Sequence, residues 1–225
     1  AIYFTNLIFI LYLFLDINFD RFLITRFYGD LSMIIVFEGG DQAGKKTQSE
    51  LLAKALKKRK IKTKVFSFPD YSTPVGKEIK KFLAGKRKFP PQVIHCLLAA
   101  NRWEKINEIQ KANEKNSVLI MNRYYQSNLV YGYVNKMKMD WLENLDAGLP
   151  KADLVIVLDV KQKEAFKRKK SKRDQFEKNK DFSQKISSAY RTLAKKKHWK
   201  IIDASKTKNQ VHNEVMKIFA KKLGI

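Results

Sequence analysis

The feature that most constrains this fold is a glycine-rich loop between a short apolar run and an amphipathic helix. Residues 37–48 read FEGGDQAGKKTQ, in which Gly39, Gly44 and Lys45 match the phosphate-loop pattern G-x-x-x-x-G-K-[ST]. The run MIIVFE precedes the loop, and the helix after it carries its leucines on one face. Backbone N–H groups at such a helix start point at phosphate oxygens, and the helix dipole favours their charge. The stretch therefore predicts a phosphate-binding loop for ATP, with Lys45 reaching the β- and γ-phosphates.

One position of this loop departs from the pattern, because Lys46 stands where a magnesium-binding hydroxyl belongs. Either Thr47 or a water supplies that oxygen, or catalysis is impaired. Magnesium keeps several waters and needs only one or two protein ligands, which favours the first alternative and makes Thr47 the candidate metal ligand. The predicted ATP-binding residues are Gly39, Gly40, Asp41, Gln42, Ala43, Gly44, Lys45, Lys46 and Thr47.

The rest of the chain alternates short apolar runs with longer amphipathic ones. Strands are predicted at 33–38, 64–68, 118–122, 154–160 and 200–203, and helices at 45–60, 74–84, 91–115, 124–145, 162–171, 182–197 and 207–223. The strand segments are rich in Val and Ile and do not alternate with polar residues, which is typical of strands covered on both faces. The pattern predicts an α/β fold, a parallel sheet flanked by helices in one domain over residues 33–225.

The first 32 residues differ from the rest. AIYFTNLIFILYLFL is almost wholly apolar, but it is shorter than the roughly 18 apolar residues that a membrane span needs. A basic leading segment and a small-residue cleavage site, which mark a secretory signal, are missing from it. We expect Met33 to be the natural start and residues 1–32 to be an extension outside the enzyme fold. A peripheral membrane anchor is the alternative.

Composition bounds the partners and the compartment. The formal net charge is +24. A nucleic-acid or polyphosphate partner would explain this charge, but the lysines are scattered, which favours solvated helix faces and predicts no nucleic-acid partner. Cys96 is the only cysteine, so no internal disulfide can form, and a reducing compartment, the cytoplasm, is expected. His95, His198 and His212 have no ligand spacing with Cys96, which excludes a zinc site.

Several further motifs follow the loop in a fixed order: FPDYSTPVGKEIKKFL, LLAANRWE, NRYYQSNLVYG and GLPKADLVIVLDV. Together with the loop they resemble the thymidylate kinase family of phosphate-loop nucleoside monophosphate kinases over essentially all of residues 33–225. The resemblance implies a three-layer fold with a five-stranded parallel sheet. It also implies ATP and Mg²⁺, transfer of the γ-phosphoryl group to dTMP to give dTDP, and a homodimer.

The resemblance assigns an acceptor site. Its residues are Asp41, Phe68, Pro69, Asp70, Leu98, Arg102, Arg123 and Tyr131. Arg102 and Arg123 become acceptor-phosphate ligands, a task that suits the planar fork of guanidinium donors. From the residues alone a surface ion pair is the simpler interpretation, for example Arg102 with Glu104 or Glu108. Tyr131 aligns with an aromatic ring under the deoxyribose, although a helix-packing tyrosine is an equal alternative.

Three departures from the family blur the predicted substrate. Tyr71 replaces an arginine directed at the acceptor phosphate, Asn122 replaces an aspartate next to Arg123, and Leu98 replaces a phenylalanine that stacks on thymine. Loss of that ring forfeits about 1 kcal/mol of stacking. A kinase of relaxed deoxynucleotide choice, and a nucleotide-binding protein of impaired catalysis, therefore remain alternatives to a dTMP kinase.

The resemblance also implies a mobile lid that closes over ATP, and the segment 166–179, FKRKKSKRDQFEKN, lies where the family places it. Some family members carry a catalytic arginine at the position of Gln42, and others supply that cation from the lid. The neutral Gln42 and the basic lid resemble the second arrangement, which makes Arg173 the first candidate cation and Arg168 the next. Lys45, Arg123, Arg173 and Arg168 are thus the predicted catalytic residues. A solvated basic helix explains most of the other lid charges.

Overall fold

The computed structural model describes residues 32–115, 117–161, 164, 165, 168 and 179–223. Five strands lie in this part of the chain: β1 (Met33–Glu38), β2 (Thr63–Ser67), β3 (Val118–Asn122), β4 (Leu154–Asp159) and β5 (Lys200–Asp203). Its helices are α1 (Lys45–Lys58), α2 (Pro74–Leu83), α3 (Pro91–Trp103), α4 (Ile106–Asn113), α5 (Tyr125–Val134), α6 (Met139–Leu145), α7 (Lys180–Lys196) and α8 (Lys208–Lys222).

The strands form one parallel sheet in the order β2-β3-β1-β4-β5. The middle strand, β1, is buried at all six positions. Its odd-numbered side chains, such as Ile35 and Phe37, pack with residues of α1 and α8, whereas Ile34 and Val36 pack with residues of α4. Because helices cover both faces, the predicted three-layer α/β fold with five parallel strands is confirmed.

Two predicted helices are each divided in the structure. The segment 91–115 breaks at residues 104–105 into α3 and α4, and the segment 124–145 breaks at residues 135–138 into α5 and α6. Lys136 has φ 57°, a left-handed conformation that a helix cannot continue through. At the first break Glu104 accepts a hydrogen bond of 3.0 Å from the N–H of Val75, which ties the bend to the start of α2.

Two sequence predictions fall mainly outside the described residues. Of the predicted extension only Ser32 is described, and of the predicted lid only Arg168 and Asn179. The predicted helix at 162–171 likewise lies mostly outside. In the described ranges, no helix has both the length and the apolar character needed to cross a membrane.

The carboxyl ends of β1 and β3 bring the predicted site together. Phe37 of β1 is paired with Asn122 of β3, and Phe37 O accepts a hydrogen bond of 3.0 Å from the N–H of Arg123. The glycine-rich loop leaves β1 at the same edge. Ligands of open parallel sheets bind at this carboxyl edge, so the fold places the loop and Arg123 side by side.

Candidate active site

The glycine-rich loop has a backbone that only glycine fits at its first conserved position. Gly39 has φ 134°, and a Cβ added there would lie 2.3 Å from Leu158 O. At the other end Gly44, with φ 95°, is the N-cap of α1 and gives the helix no side-chain cap. The first N–H groups of α1 therefore have no capping oxygen from this residue and face the loop, the arrangement that receives phosphate oxygens.

The two adjacent lysines of the loop differ in environment. Lys45 is 8% exposed, and its Nζ donates to the carbonyl oxygens of Gly39 at 3.0 Å and Gly40 at 2.7 Å. The Lys46 side chain is 80% exposed and lies 3.9 Å from Glu50 one turn along the helix. Thr47 is exposed and borders the same cavity as the loop. Lys45 is therefore the lysine held inside the loop.

A cavity of about 600 Å³, here the loop cavity, extends from residues 41–48 to the segment 204–211. Arg168 borders this cavity, and two backbone carbonyls hold its side chain. Its NH1 donates to Gln42 O at 3.1 Å, and its NH2 donates to Ala204 O at 2.6 Å. Arg168 thus meets the loop at Gln42, the neutral position singled out in the sequence. Arg173 lies outside the described residues.

A second, narrower cavity of about 90 Å³ lies beside the loop, and we call it the arginine cavity. Its wall contains all but one of the predicted acceptor residues: Asp41, Phe68, Pro69, Leu98, Arg102, Arg123 and Tyr131. Asp70 is the predicted residue that does not border it. Much of the remaining wall is aliphatic, with Ile79, Leu83 and Ile94. Asp41 borders both cavities, so they meet at the loop.

Arg123 lies at this meeting point in a left-handed backbone conformation, φ 66°. Its NH2 forms an ion pair with Asp41, and its NH1 donates to Ser127 Oγ at 3.3 Å and to Tyr190 Oη at 3.4 Å. The guanidinium carbon lies 5.8 Å from the centre of the Tyr131 ring. Burial by itself lowers the pKa of Arg123, but Tyr131, Asp41 and other neighbours outweigh it and raise the pKa. The side chain is held as a cation.

Behind Arg123 a buried carboxylate organises the site. Glu38 is inaccessible to solvent, and its Oε1 accepts hydrogen bonds from the N–H groups of Tyr124 at 2.9 Å and Ser127 at 3.1 Å. Its Oε2 accepts from Ser127 Oγ at 2.6 Å and from the Tyr190 hydroxyl at 2.7 Å. Burial raises the pKa of Tyr190, which keeps that hydroxyl protonated as a donor. The sequence analysis did not identify Glu38 or Tyr190.

Arg102 also has a carboxylate partner, but at a different place from the surface pairs considered from the sequence. Its Nε and NH2 donate to Asp146 Oδ1 and Oδ2 at 2.7 and 2.8 Å. Both side chains are nearly inaccessible, 3% and 4% exposed. The partner is therefore Asp146, not Glu104 or Glu108, and the pair is buried, with Arg102 in the wall of the arginine cavity.

The residues around Arg102 in the ANRWE motif hold the loop after β2. Asn101 is fully buried; its Oδ1 accepts from the N–H of Asp70 at 2.7 Å, and its Nδ2 donates to Asp70 O at 3.1 Å. The Ser72 hydroxyl donates to the Asp70 carboxylate, which lowers the pKa of Asp70. Asp70 thus shapes the turn that carries Phe68 and Pro69. Tyr71, at the position of the missing family arginine, is 41% exposed.

A buried histidine lies next to the arginine cavity. His95 Nδ1 is 2.6 Å from Asn128 Oδ1, and because an amide oxygen only accepts, Nδ1 carries the proton. Asn128 Nδ2 donates back to His95 O at 3.3 Å. Burial lowers the pKa of His95, which keeps the ring neutral. Asn128 borders the arginine cavity, so His95 fixes the orientation of an amide in that wall.

Three comparisons with known proteins give the same family. A family model described as thymidylate kinase matches residues 37–215. The chain is 36% identical to the thymidylate kinase of Plasmodium falciparum and 34% identical to that of Homo sapiens, covering 81% of this chain and 87% of each relative. A solved structure of the thymidylate kinase from Candida albicans superposes with a TM-score of 0.75 at 30% identity, covering 85% of this chain and 93% of that one.

Proposed function

The chain belongs to the thymidylate kinase family, and we propose that the loop cavity and the arginine cavity divide between them the transfer of a phosphoryl group from ATP to dTMP. The enzyme is a dTMP kinase, as the resemblance in the sequence implied. In the proposal ATP occupies the loop cavity and dTMP the arginine cavity. One observation carries this division: Asp41 borders both cavities and is paired with Arg123, so two phosphates bound in them meet at one cation.

The donor side follows from the loop. The phosphates of ATP would lie against the N–H groups at the start of α1, with Lys45 turning from the carbonyls of Gly39 and Gly40 to the transferred phosphate. Arg168 is the described lid residue that reaches the loop, so it is positioned to add positive charge over the phosphates. Arg173 keeps the role predicted from the sequence.

The acceptor side follows from the arginine cavity. Arg123 would exchange Asp41 for the phosphate of dTMP, and the Tyr131 ring over which it lies would pack against the sugar. Phe68 and Leu98 supply apolar wall for the thymine. Phosphoryl transfer needs alignment and charge stabilisation more than covalent help, and a ring of lysine and arginine donors around the meeting point provides both.

Magnesium is the proposed cofactor. Among the described residues no cluster of three or more His, Cys, Asp or Glu side chains could hold a metal ion by itself. Mg²⁺ bound through nucleotide phosphates needs only one or two protein oxygens. Thr47 and Asn122 border the loop cavity and carry neutral side-chain oxygens, so the residues present fit a magnesium ion held mainly by phosphates. The ion would neutralise charge developing on the phosphates. If Thr47 is a ligand, Thr47→Val raises the free Mg²⁺ needed for half-maximal rate; an unchanged requirement assigns that position to water.

A homodimer is proposed from an outward stripe on α3. Val93 and Trp103 are 41% and 36% exposed, and the exposed Cys96 lies between them on the same helix face. Light scattering on the chromatographed chain should give twice the monomer mass, and Val93→Glu should halve it and speed maleimide labelling of Cys96. A monomeric parent chain contradicts this. A single exposed thiol also supports the proposed cytoplasmic location.

The experiment that tests the substrate is a coupled ADP-release assay with dTMP, dUMP, dCMP, AMP and GMP as acceptors. We expect dTMP to have the highest kcat/KM, with dUMP lower by up to about 200-fold because one methyl group distinguishes them. Leu98→Phe should widen that ratio by restoring an aromatic surface in the cavity wall. Activity confined to AMP or GMP would refute the assignment, and equal turnover of dTMP and dUMP would establish relaxed base choice.

A further inference from the structure

The pairing of Arg102 with Asp146 joins the acceptor site to the turn between α6 and β4. We propose that Asp146 is a positioning residue, which holds the guanidinium of Arg102 in the orientation that receives the acceptor nucleotide. This inference rests on the proposed role of Arg102 as an acceptor ligand. The inference assigns a function to Asp146, which lies just before the GLPKAD motif and takes no part in the proposed phosphate chemistry of the loop.

The geometry of the pair determines which part of Arg102 is left for a ligand. A guanidinium is planar, and both of its bonds to Asp146 lie along the edge formed by Nε and NH2. Within the described residues Asp146 is the one acid in an ion pair with Arg102. NH1 is therefore the nitrogen left over, on a residue that borders the arginine cavity. Without the carboxylate the buried cation would be unpaired and would turn toward water or another acceptor.

The carboxylate is itself fixed by its backbone and by the neighbouring residue of α3. Trp103 Nε1 donates to Leu145 O at 3.1 Å, and its ring lies against Gly148, where an added Cβ would be 3.2 Å from the ring. Gly148 has φ 97°, a backbone conformation that residues other than glycine rarely adopt. The N–H of Leu149 donates to Asp146 O at 3.1 Å and closes the turn. Two successive residues of α3 thus contact the same turn, one through a ring and one through charge.

The test is a double-mutant cycle in the full chain with Asp146→Asn, Arg102→Met and the combined variant. Each is assayed for the KM of dTMP, the KM of ATP, kcat and the thermal midpoint. Asp146→Asn keeps one acceptor oxygen but places an NH₂ group against the NH2 of Arg102, so the guanidinium must rotate. Asp146→Glu keeps the charge and displaces it by one methylene, which covers the case in which the asparagine variant does not fold. The matched control is Glu143→Gln, because Glu143 lies on α6 and forms an exposed ion pair, with Lys197.

We expect Asp146→Asn and Asp146→Glu to raise the KM for dTMP about 10- to 100-fold while the KM for ATP changes less than about twofold. In the Arg102→Met background, Asp146→Asn should change the KM for dTMP by less than about twofold, because the guanidinium that Asp146 holds is absent. An unchanged KM for dTMP in both Asp146 variants overturns the inference. The inference is also overturned if Asp146→Asn raises the KM for dTMP as much in the Arg102→Met background as in the parent chain. It is overturned as well if the Asp146 variants raise the KM for ATP as much as the KM for dTMP. If Arg102→Met alone leaves the KM for dTMP unchanged, the acceptor role of Arg102 fails, while the donor assignment to the loop is untouched.

Discussion

Arg123 and Asp41 form an ion pair at the point where the loop cavity and the arginine cavity meet. The strand end of β3 supplies the cation and the loop after β1 supplies the anion, so two neighbouring strands set their separation. An incoming phosphate offers Arg123 a stronger bidentate partner than one carboxylate oxygen. In the proposed function, the ion pair keeps the guanidinium aligned between the two cavities until the acceptor replaces Asp41.

This relationship predicts that Arg123→Met removes transition-state stabilisation and leaves the fold intact. We expect kcat/KM for dTMP to fall at least about 100-fold, roughly 3 kcal/mol, because in the proposed function the cation lies where charge moves between the phosphates. Steady-state kinetics at saturating ATP measure this. Arg87→Met, at an arginine whose side chain is 59% exposed, is the control and should stay within about twofold. A variant of Arg123 with near-parental kcat/KM would place the reaction elsewhere.

A second prediction separates the two adjacent lysines of the loop. Lys45→Ala should lower kcat at least about 100-fold, because the buried ammonium is the one held within the loop. Lys46→Ser should leave kcat intact or raise it, because the Lys46 side chain is 80% exposed and the serine restores a hydroxyl at the usual magnesium position. Initial rates at several Mg²⁺ concentrations check both. If Lys46→Ser abolishes turnover, Lys46 takes part in catalysis.

The sheet and the loop could be predicted from the sequence because their signals are local. Apolar runs such as MIIVFE are covered on both faces, and periodicity located all five strands to within one or two residues. The breaks at 104–105 and 135–138 were missed, since the hydrophobic pattern shows neither the left-handed backbone of Lys136 nor the hydrogen bond from Val75 to Glu104. Helical periodicity continues across both breaks, so composition alone does not show them.

The site was predictable where a motif marks it and not where distant residues converge. Asp41, Arg102 and Arg123 were located by motifs, and the structure places all three in the wall of one cavity. Glu38 could have been suspected as a charged residue at the end of a buried strand. Tyr190 and Asp146 carried no signal, because their partners, Glu38 and Arg102, lie 152 and 44 positions away in the chain.

Tyr190→Phe tests the buried network around Glu38. The substitution removes only a hydroxyl, and Glu38 Oε2 is then left with Ser127 Oγ as its donor. We expect a loss of about 1–2 kcal/mol in the free energy of unfolding, because the lost hydrogen bond ends on a buried carboxylate. Urea unfolding followed by circular dichroism measures it. Tyr133→Phe, at an exposed tyrosine on α5, is the matched control and should change stability by less than about 0.5 kcal/mol. Equal stability of both variants would show that the Tyr190 bond contributes nothing.

His95 gives a prediction about pH. Burial lowers its pKa below the ordinary value of 6.5, so the unfolded chain takes up this proton at a higher pH than the folded chain. The stability that His95 contributes is therefore complete above about pH 6.5 and is lost as the pH falls through the lowered folded-state pKa.

His95→Asn keeps a donor for Asn128 and does not titrate. The unfolding free energy of the parent chain should fall relative to this variant by up to about 1.4 kcal/mol per pH unit between pH 6.5 and 5. Urea unfolding at half-unit intervals measures the difference. Parallel pH profiles for the parent and His95→Asn would contradict a neutral, buried His95.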